Sequence, residues 1–377
     1  MLQRRSLFLF TIVILIFSCT ATRKARDTNI HSLKFLSEFV IPYNTQFKET
    51  KVGGFSGIDY DRKKNVYYVI TDDRSDRNPA RFYKIKIDIS GYKIDSVYLV
   101  ETIFLKNAKG EFYPKSTEDA LHTPDPESIR YNASTRTLVW SSEGERIIRP
   151  DKIVLENPAI TEIDESGVYI DTFVLPAQLH MNTTGGPRKN EVLEGLAYSN
   201  NYQTLYASVE QPLYNDGPRA GLYDSSAIVR IIKFGVPSRR PTAQYGYRVG
   251  PVADAPSVPG SFILNGVSEI LSPAENQLFV VERSYSTGRG NSIKIFLADL
   301  SQATNIAEVS SLENMHSIQL ASRKLILNMD ELGIYVDNIE GVSFGPRLPN
   351  GHRSLVFVSD DNFSPTQKTQ FLLFEIE

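Results

Sequence analysis

The sequence predicts an all-β fold, a β-propeller of four-stranded blades, and three observations carry that prediction. A hairpin-like unit recurs at intervals of roughly 70 residues, at 56–73, 127–145, 194–212, 268–283 and 340–361. In each copy, two runs of β-branched and aromatic residues flank turn chemistry such as Asn200-Asn201 or Leu348-Pro349-Asn350-Gly351. Further strand-like runs separate the copies. Helical periodicity is sparse, the segment around 303–315 being the best short candidate.

Taken in order, the chain opens with Arg4 and Arg5, an apolar run over 7–17, and then Ser18-Cys19. The run is too short to cross a bilayer as a helix. It reads as an export signal over 1–18 with a lipobox-like end, Cys19 becoming the lipidated N-terminus, and 19–31 as a polar tether. The next run, 32–43, has strand composition but no local partner. Two outer runs follow each hairpin: 81–89 and 96–105, 160–165 and 168–175, 227–234 and 243–249, 292–300 and 324–329. After the last hairpin only 370–377 remains. The N-terminal strand therefore supplies the missing fourth strand and closes the ring, giving one domain over 32–377. Five blades are counted, and the connections near 106–125 and 300–322 leave room for a sixth. The insertions at 146–157, 180–191, 211–225 and 250–260 carry Pro, Gly and Asn and read as loops over one face.

Composition narrows the function classes. Cys19 is the only cysteine, which excludes a disulfide, a cysteine metal site and a cysteine nucleophile from the folded body. A net charge of −3 gives no electrostatic case for nucleic acid. Membrane contact through the N-terminal lipid alone, an outer-membrane location and a monomer are the expectations.

The acids carry the chemistry. The second run of each copy stops on Asp72, Glu143, Glu210, Glu282 and Asp360, while Glu127, Glu194 and Glu340 begin the first run of theirs. In an antiparallel pair the start of one strand and the end of the next share an end. Glu127 with Glu143, Glu194 with Glu210, and Glu340 with Asp360 should thus be neighbours, and the acids should gather at one channel mouth. So many carboxylates repel one another unless protonated or matched by cations. Hard oxygen donors suit Ca²⁺ better than Zn²⁺. Cross-blade ion pairs with Arg74, Arg130, Arg146 and Arg283 are the alternative, yet Glu194 and Glu210 have no Arg or Lys within several residues. Arginine forks at Arg74 and Arg283 also suit recognition of an anionic substrate.

The hairpins resemble the phytase-like family described as esterase-like activity of phytase. The motifs that carry the resemblance are GFSGIDYD with TDDRSDRNPARFYKIKID, DPESIRYN with WSSEGER, NEVLEGLAYS with LYASVEQPLYNDG, NGVSEIL with LFVVERS, and DNIEGVSFGPRLPNG with VFVSDDNFSPTQKTQFLLFEI, from about residue 50 to the C-terminus. It implies an exported propeller that hydrolyses phosphate esters or related esters. On this reading Glu194, Glu210 and Glu340 are catalytic, Arg74 and Arg283 bind substrate, and Asp72, Glu127, Glu143, Glu282 and Asp360 hold Ca²⁺ against a small anionic or ester substrate. A non-catalytic propeller that binds a ligand or protein at the envelope is the alternative. Other hydrolase signatures are missing: there is no His-Glu-x-x-His, the five histidines are scattered, and residues 53–57 miss the nucleophile-elbow spacing and precede a strand.

Overall fold

The computed structural model describes residues 30–223, 226–313 and 317–377. The expected signal, Cys19 and nearly all of the tether lie outside the described residues. Five four-stranded antiparallel sheets form a ring, each with its first strand innermost and packed against the first strands of its neighbours. From inside outward, blade 1 comprises Phe55–Asp61, Val66–Thr71, Arg81–Ser90 and Lys93–Phe104; blade 2 comprises Pro126–Asn132, Thr137–Ser142, Ala159–Asp164 and Tyr169–Thr172. Blade 3 is Leu193–Ser199, Thr204–Val209, Ile228–Gly235 and Arg240–Arg248, and blade 4 is Ile263–Ala274, Gln277–Ser286, Gly290–Asp299 and Ser322–Asn328. Blade 5 contains Asn338–Phe344, Ser354–Asp360 and Thr369–Ile376, and its outer strand is the N-terminal Leu33–Ile41, paired from Leu33↔Ile376 to Ile41↔Thr369. The orphan strand of the sequence thus closes the ring, so neither chain end leaves an open inner edge.

Alternation along each strand places apolar side chains on both faces of every blade, because each sheet is covered by a blade on either side. Five apolar layers result, one per blade interface. Phe279, Val281, Val342 and Phe357 build the layer between blades 4 and 5, for example, and Tyr68, Ile70, Ile129 and Trp140 the layer between blades 1 and 2.

Three expectations are corrected. The insertion at 146–157 is not a loop but a hairpin, Glu145–Arg149 against Lys152–Glu156, in which Ile147 faces Val154 and Ile148 faces Ile153 across the ladder. No helix forms over 303–313; these residues drape over blade 3 and seal Ile306 and Leu312 against Ile228, so their apolar spacing serves a local cap. No sixth blade appears among the described residues, where 106–125 contributes a single bridge, Lys106↔Phe112. Helical turns there are limited to three 3-10 segments, and no helix is long and apolar enough to cross a membrane.

One irregularity recurs in every blade and positions the site. The innermost strand bulges at the same height, between Phe55 and Gly57, Pro126 and Ile129, Leu193 and Gly195, Val267 and Glu269, and Ile339 and Gly341. Glycine follows the bulge in blades 1, 3 and 5 because the next blade's backbone sits against it. A Cβ on Gly57 would lie 2.8 Å from the Glu127 carbonyl, and one on Gly195 2.7 Å from the Ile270 nitrogen. Blades 2 and 4 place Ser128 and Glu269 at this height instead, and these two side chains meet inside the channel, 3.1 Å apart.

Arg130 completes that plug. Its guanidinium donates to the carbonyls of Ile58 in blade 1, Leu196 in blade 3 and Ile270 in blade 4, at 2.5, 2.5 and 3.0 Å, and pairs with Glu269 at 2.5 Å. Glu269 in turn accepts the backbone N–H groups of Leu196 and Ile270. The arginine that the sequence offered as a partner for the mouth acids therefore lies deeper, tying four blades together and closing the channel.

Candidate functional site at the channel mouth

Because the bulges align, the residues beside them form a ring. The bulged positions carry Ser56, Glu127, Glu194, Ser268 and Glu340, and the residues that follow on the second strands are Asp72, Glu143, Glu210, Arg283 and Asp360. Seven of the eight acids singled out in the sequence thus converge at one mouth. Glu282 does not. In blade 4 it pairs with Val267, the place that Val209 takes opposite Leu193 in blade 3, so Arg283 occupies the ring position. A one-residue offset turns a strand side chain to the other face. Glu282 consequently accepts hydrogen bonds from the Tyr247 hydroxyl at 2.7 Å and the Gly250 N–H at 3.0 Å, and pairs with Arg323. It is a fully partnered residue outside the mouth, apart from the carboxylates with which it was expected to hold a cation.

The mouth opens into a cavity of about 540 Å³. Its floor divides into two electrostatic halves. On the side of blades 3 to 5, Arg283 pairs with Glu210 at 2.7 Å and lies 3.7 Å from Glu340, which also accepts from Asn338 at 2.7 Å. On the side of blades 1 to 3, no cation among the described residues pairs with Glu127, Glu143 or Glu194, and Asp125 alone is met, by Arg74. One oxygen each from Glu127, Glu143 and Glu194 lies within 4.8 Å of the others, and Glu127 forms a second such group with Asp72 and Asp125. Glu143 accepts the Val192 N–H through one oxygen, while its other oxygen is buried without a partner.

Burial and mutual repulsion push these groups in one direction. Burial, with the negative charge of its neighbours, holds Glu127, Glu143, Glu194, Asp72 and Asp360 well above the ordinary carboxylate range. Glu210 is pushed up to about 7 by burial, with Arg283 opposing the rise. At neutral pH the cluster must therefore hold protons or a cation.

Asp125 escaped notice in the sequence, although it stands two residues before Glu127 in an extended run and so shares its side. Arg74, expected to bind substrate, is engaged by Glu145 at 2.9 Å and Asp125 at 3.6 Å and is not among the residues lining the cavity.

Fold and site together define a five-bladed propeller whose channel is plugged by an arginine–glutamate pair and whose mouth holds an under-compensated set of buried carboxylates. The chain belongs to the Phytase-like family, described as esterase-like activity of phytase, whose family model matches residues 50–363, most of the chain. No curated protein matches the sequence. Among solved structures it is similar to a gluconolactonase from Xanthomonas campestris at 10% identity and TM-score 0.34, over 92% of this chain and 98% of that one. It is similar also to a GH43 β-1,3-galactosidase solved with galactodeoxynojirimycin, at 9% identity and TM-score 0.44 over 90% and 94% of the two chains. A third likeness is to the hydrazine synthase of Kuenenia stuttgartiensis, at 11% identity and TM-score 0.35 over 84% and 81%. None of these structural likenesses bears on chemistry.

Proposed function

We propose that the protein is a divalent-cation-dependent hydrolase of phosphate esters or related esters, acting at the acidic mouth. The observation that carries this reading is the Glu127, Glu143 and Glu194 group, three buried carboxylates within 4.8 Å and no cation paired to them, one oxygen of Glu143 being left without any partner. The donors fit a hard cation: they are all oxygens, and their separations are compatible with metal–oxygen distances of about 2.3–2.6 Å for Ca²⁺. Glu127, Glu143 and Glu194, with Asp72 and Asp125, would hold it. Bound there, a divalent ion offsets the carboxylate repulsion and supplies Lewis-acid polarisation of a phosphoryl or carbonyl oxygen.

The chain's own residues complete the site. Arg283, kept cationic by Glu210, Glu340 and Glu194, offers a donor to the substrate's anionic oxygens. Its Nε is buried without a partner. Glu210 holds or accepts the proton of the attacking water, since a carboxyl tuned to about 7 is suited to proton transfer near neutral pH. Glu340, 3.7 Å from the same guanidinium nitrogen that Glu210 engages, positions Arg283 with it. The test is release of 4-nitrophenol from its phosphate and acetate esters with calcium and with chelator. Turnover that disappears with chelator and returns with calcium supports the reading, and turnover indifferent to both, or none at all, refutes it.

Export, a lipid on Cys19, an outer-membrane location and a monomeric state belong to the same proposal. Mass spectrometry of the N-terminal peptide from the processed protein would reveal a diacylglyceryl cysteine, and an unmodified peptide would count against it.

A further inference from the structure

Blade 4 differs from the other four at the mouth. Its first two strands run 12 and 10 residues, against 7 and then 6 or 7 elsewhere, and their ladder continues past the bulge to Ile263↔Ser286. The extension stands up as one wall of the cavity. Side chains two apart on a strand share a face, so Tyr285 follows Arg283 on the cavity side, roughly 7 Å further from the floor. Leu264 pairs directly with Tyr285, and Phe262 packs on the same ring at 6.1 Å between centroids. Tyr335, from the connection leading into blade 5, adds a further aromatic edge to the same cavity. Phe262 and Tyr335 remain 56% and 53% exposed.

The arrangement is an anion-binding arginine at the base of an aromatic shelf. Arg283 is also the only basic side chain lining this cavity among the described residues, and it is already shared between Glu210 and Glu340. A densely phosphorylated substrate would bring more negative charge than this lining can meet. Building on the hydrolase reading above, we infer that the substrate carries one acidic or ester head, held at Arg283, and an aromatic or apolar body that lies against Tyr285, Leu264 and Phe262. The shelf is the specificity-determining element.

The test separates this inference from the catalytic one by measuring binding without turnover. Calorimetry in calcium buffer compares phenylphosphonate, methylphosphonate and inositol hexakisphosphate on the full-length protein. Burying one face of a phenyl ring on the shelf should make phenylphosphonate bind about tenfold tighter than methylphosphonate. Tyr285→Ala and Phe262→Ala should each remove most of that preference while leaving methylphosphonate affinity unchanged, and Tyr285→Phe should retain it. Phe262 is largely exposed, so its variant is expected to fold. Equal affinity for the two phosphonates, no binding of either at millimolar concentration, equal weakening of both in the variants, or tighter binding of the inositol ligand than of phenylphosphonate would each overturn the shelf. A phenyl preference in a protein that fails to turn over 4-nitrophenyl esters would leave the shelf standing and remove the hydrolase; turnover without the preference would do the reverse.

Discussion

Two clusters of buried charge share one channel and are built on opposite terms. In the plug, Arg130 and Glu269 answer each other at 2.5 Å, and their remaining donors and acceptors are taken up by four carbonyls, two backbone N–H groups and Ser128. A few residues nearer the mouth, Glu127, Glu143 and Glu194 face one another without a cation, and a Glu143 oxygen has no partner. Desolvating charge is costly in both places, and burial pushes Glu269 up to about 8 even against Arg130 and its hydrogen bonds, but only in the plug does the protein itself give each charge a partner. The lesson is that burial of charge alone does not mark a site. Where the chain satisfies its own buried charges, as at the plug and at Glu282 with Arg323 and Tyr247, it braces blades; where it does not, as at Glu127, Glu143 and Glu194, the arrangement supports the proposed cation.

That contrast can be broken first at the plug. Arg130→Met leaves Glu269 buried and unanswered, and should cost about 3–5 kcal/mol of stability in denaturant unfolding. Adding Glu269→Met should recover much of the loss, and a double variant as unstable as the single one would show that the pair is more than self-satisfying. At the mouth the sign reverses. Glu127→Gln, which removes the carboxylate common to both groups, should lower calcium-dependent turnover about 100-fold or more while leaving the metal-free protein as stable as before or more so. A fall in metal-free melting temperature would place Glu127 among the structural acids.

A smaller effect is expected at the acid that left the ring. Glu282→Gln keeps the shape but weakens the bonds to Arg323 and the Tyr247 hydroxyl, at about 1–3 kcal/mol, with turnover per folded molecule and calcium affinity unchanged. Loss of calcium affinity there would restore Glu282 to the mouth and contradict the register. The smallest effect is a drift with pH. The mouth carboxyls have folded values raised above their unfolded ones, Glu210 to about 7, so their protonated forms favour the fold. That contribution is complete below about pH 4.5 and is lost as pH rises through 7. The melting temperature of metal-free protein should therefore fall by several degrees between pH 5 and pH 8, and saturating calcium should flatten the curve. A metal-free curve that rises over this interval would mean the mouth is compensated from within.

Much of the site was legible because it sits where local patterns end. Hairpin alternation locates strand ends, and antiparallel pairing places Glu127 near Glu143 and Glu194 near Glu210 without knowledge of the ring. The error at Glu282 arose because Glu282 and Arg283 are adjacent, and alternation alone does not say which of two neighbours faces the channel. The bulge decides that, and its position is visible only in the ladder Val267↔Glu282. Asp125 was missed because Pro126 broke the apparent strand just after it, although the extended chain carries the pattern through. The hairpin at 145–156 was hidden by charged ends and an Arg149-Pro150-Asp151-Lys152 turn that resembled a loop.

From the residues alone came the number of repeats, the two-stranded unit within each, the closing role of the N-terminal strand and the clustering of acids at strand ends. All of these follow from periodicity and turn chemistry acting over a few residues. The tertiary structure alone decided which charges answer one another. Arg130 reaches Glu269 and Arg283 reaches Glu210 across gaps of 139 and 73 residues, contacts that exist only once the ring has closed and the bulges have come to a common height.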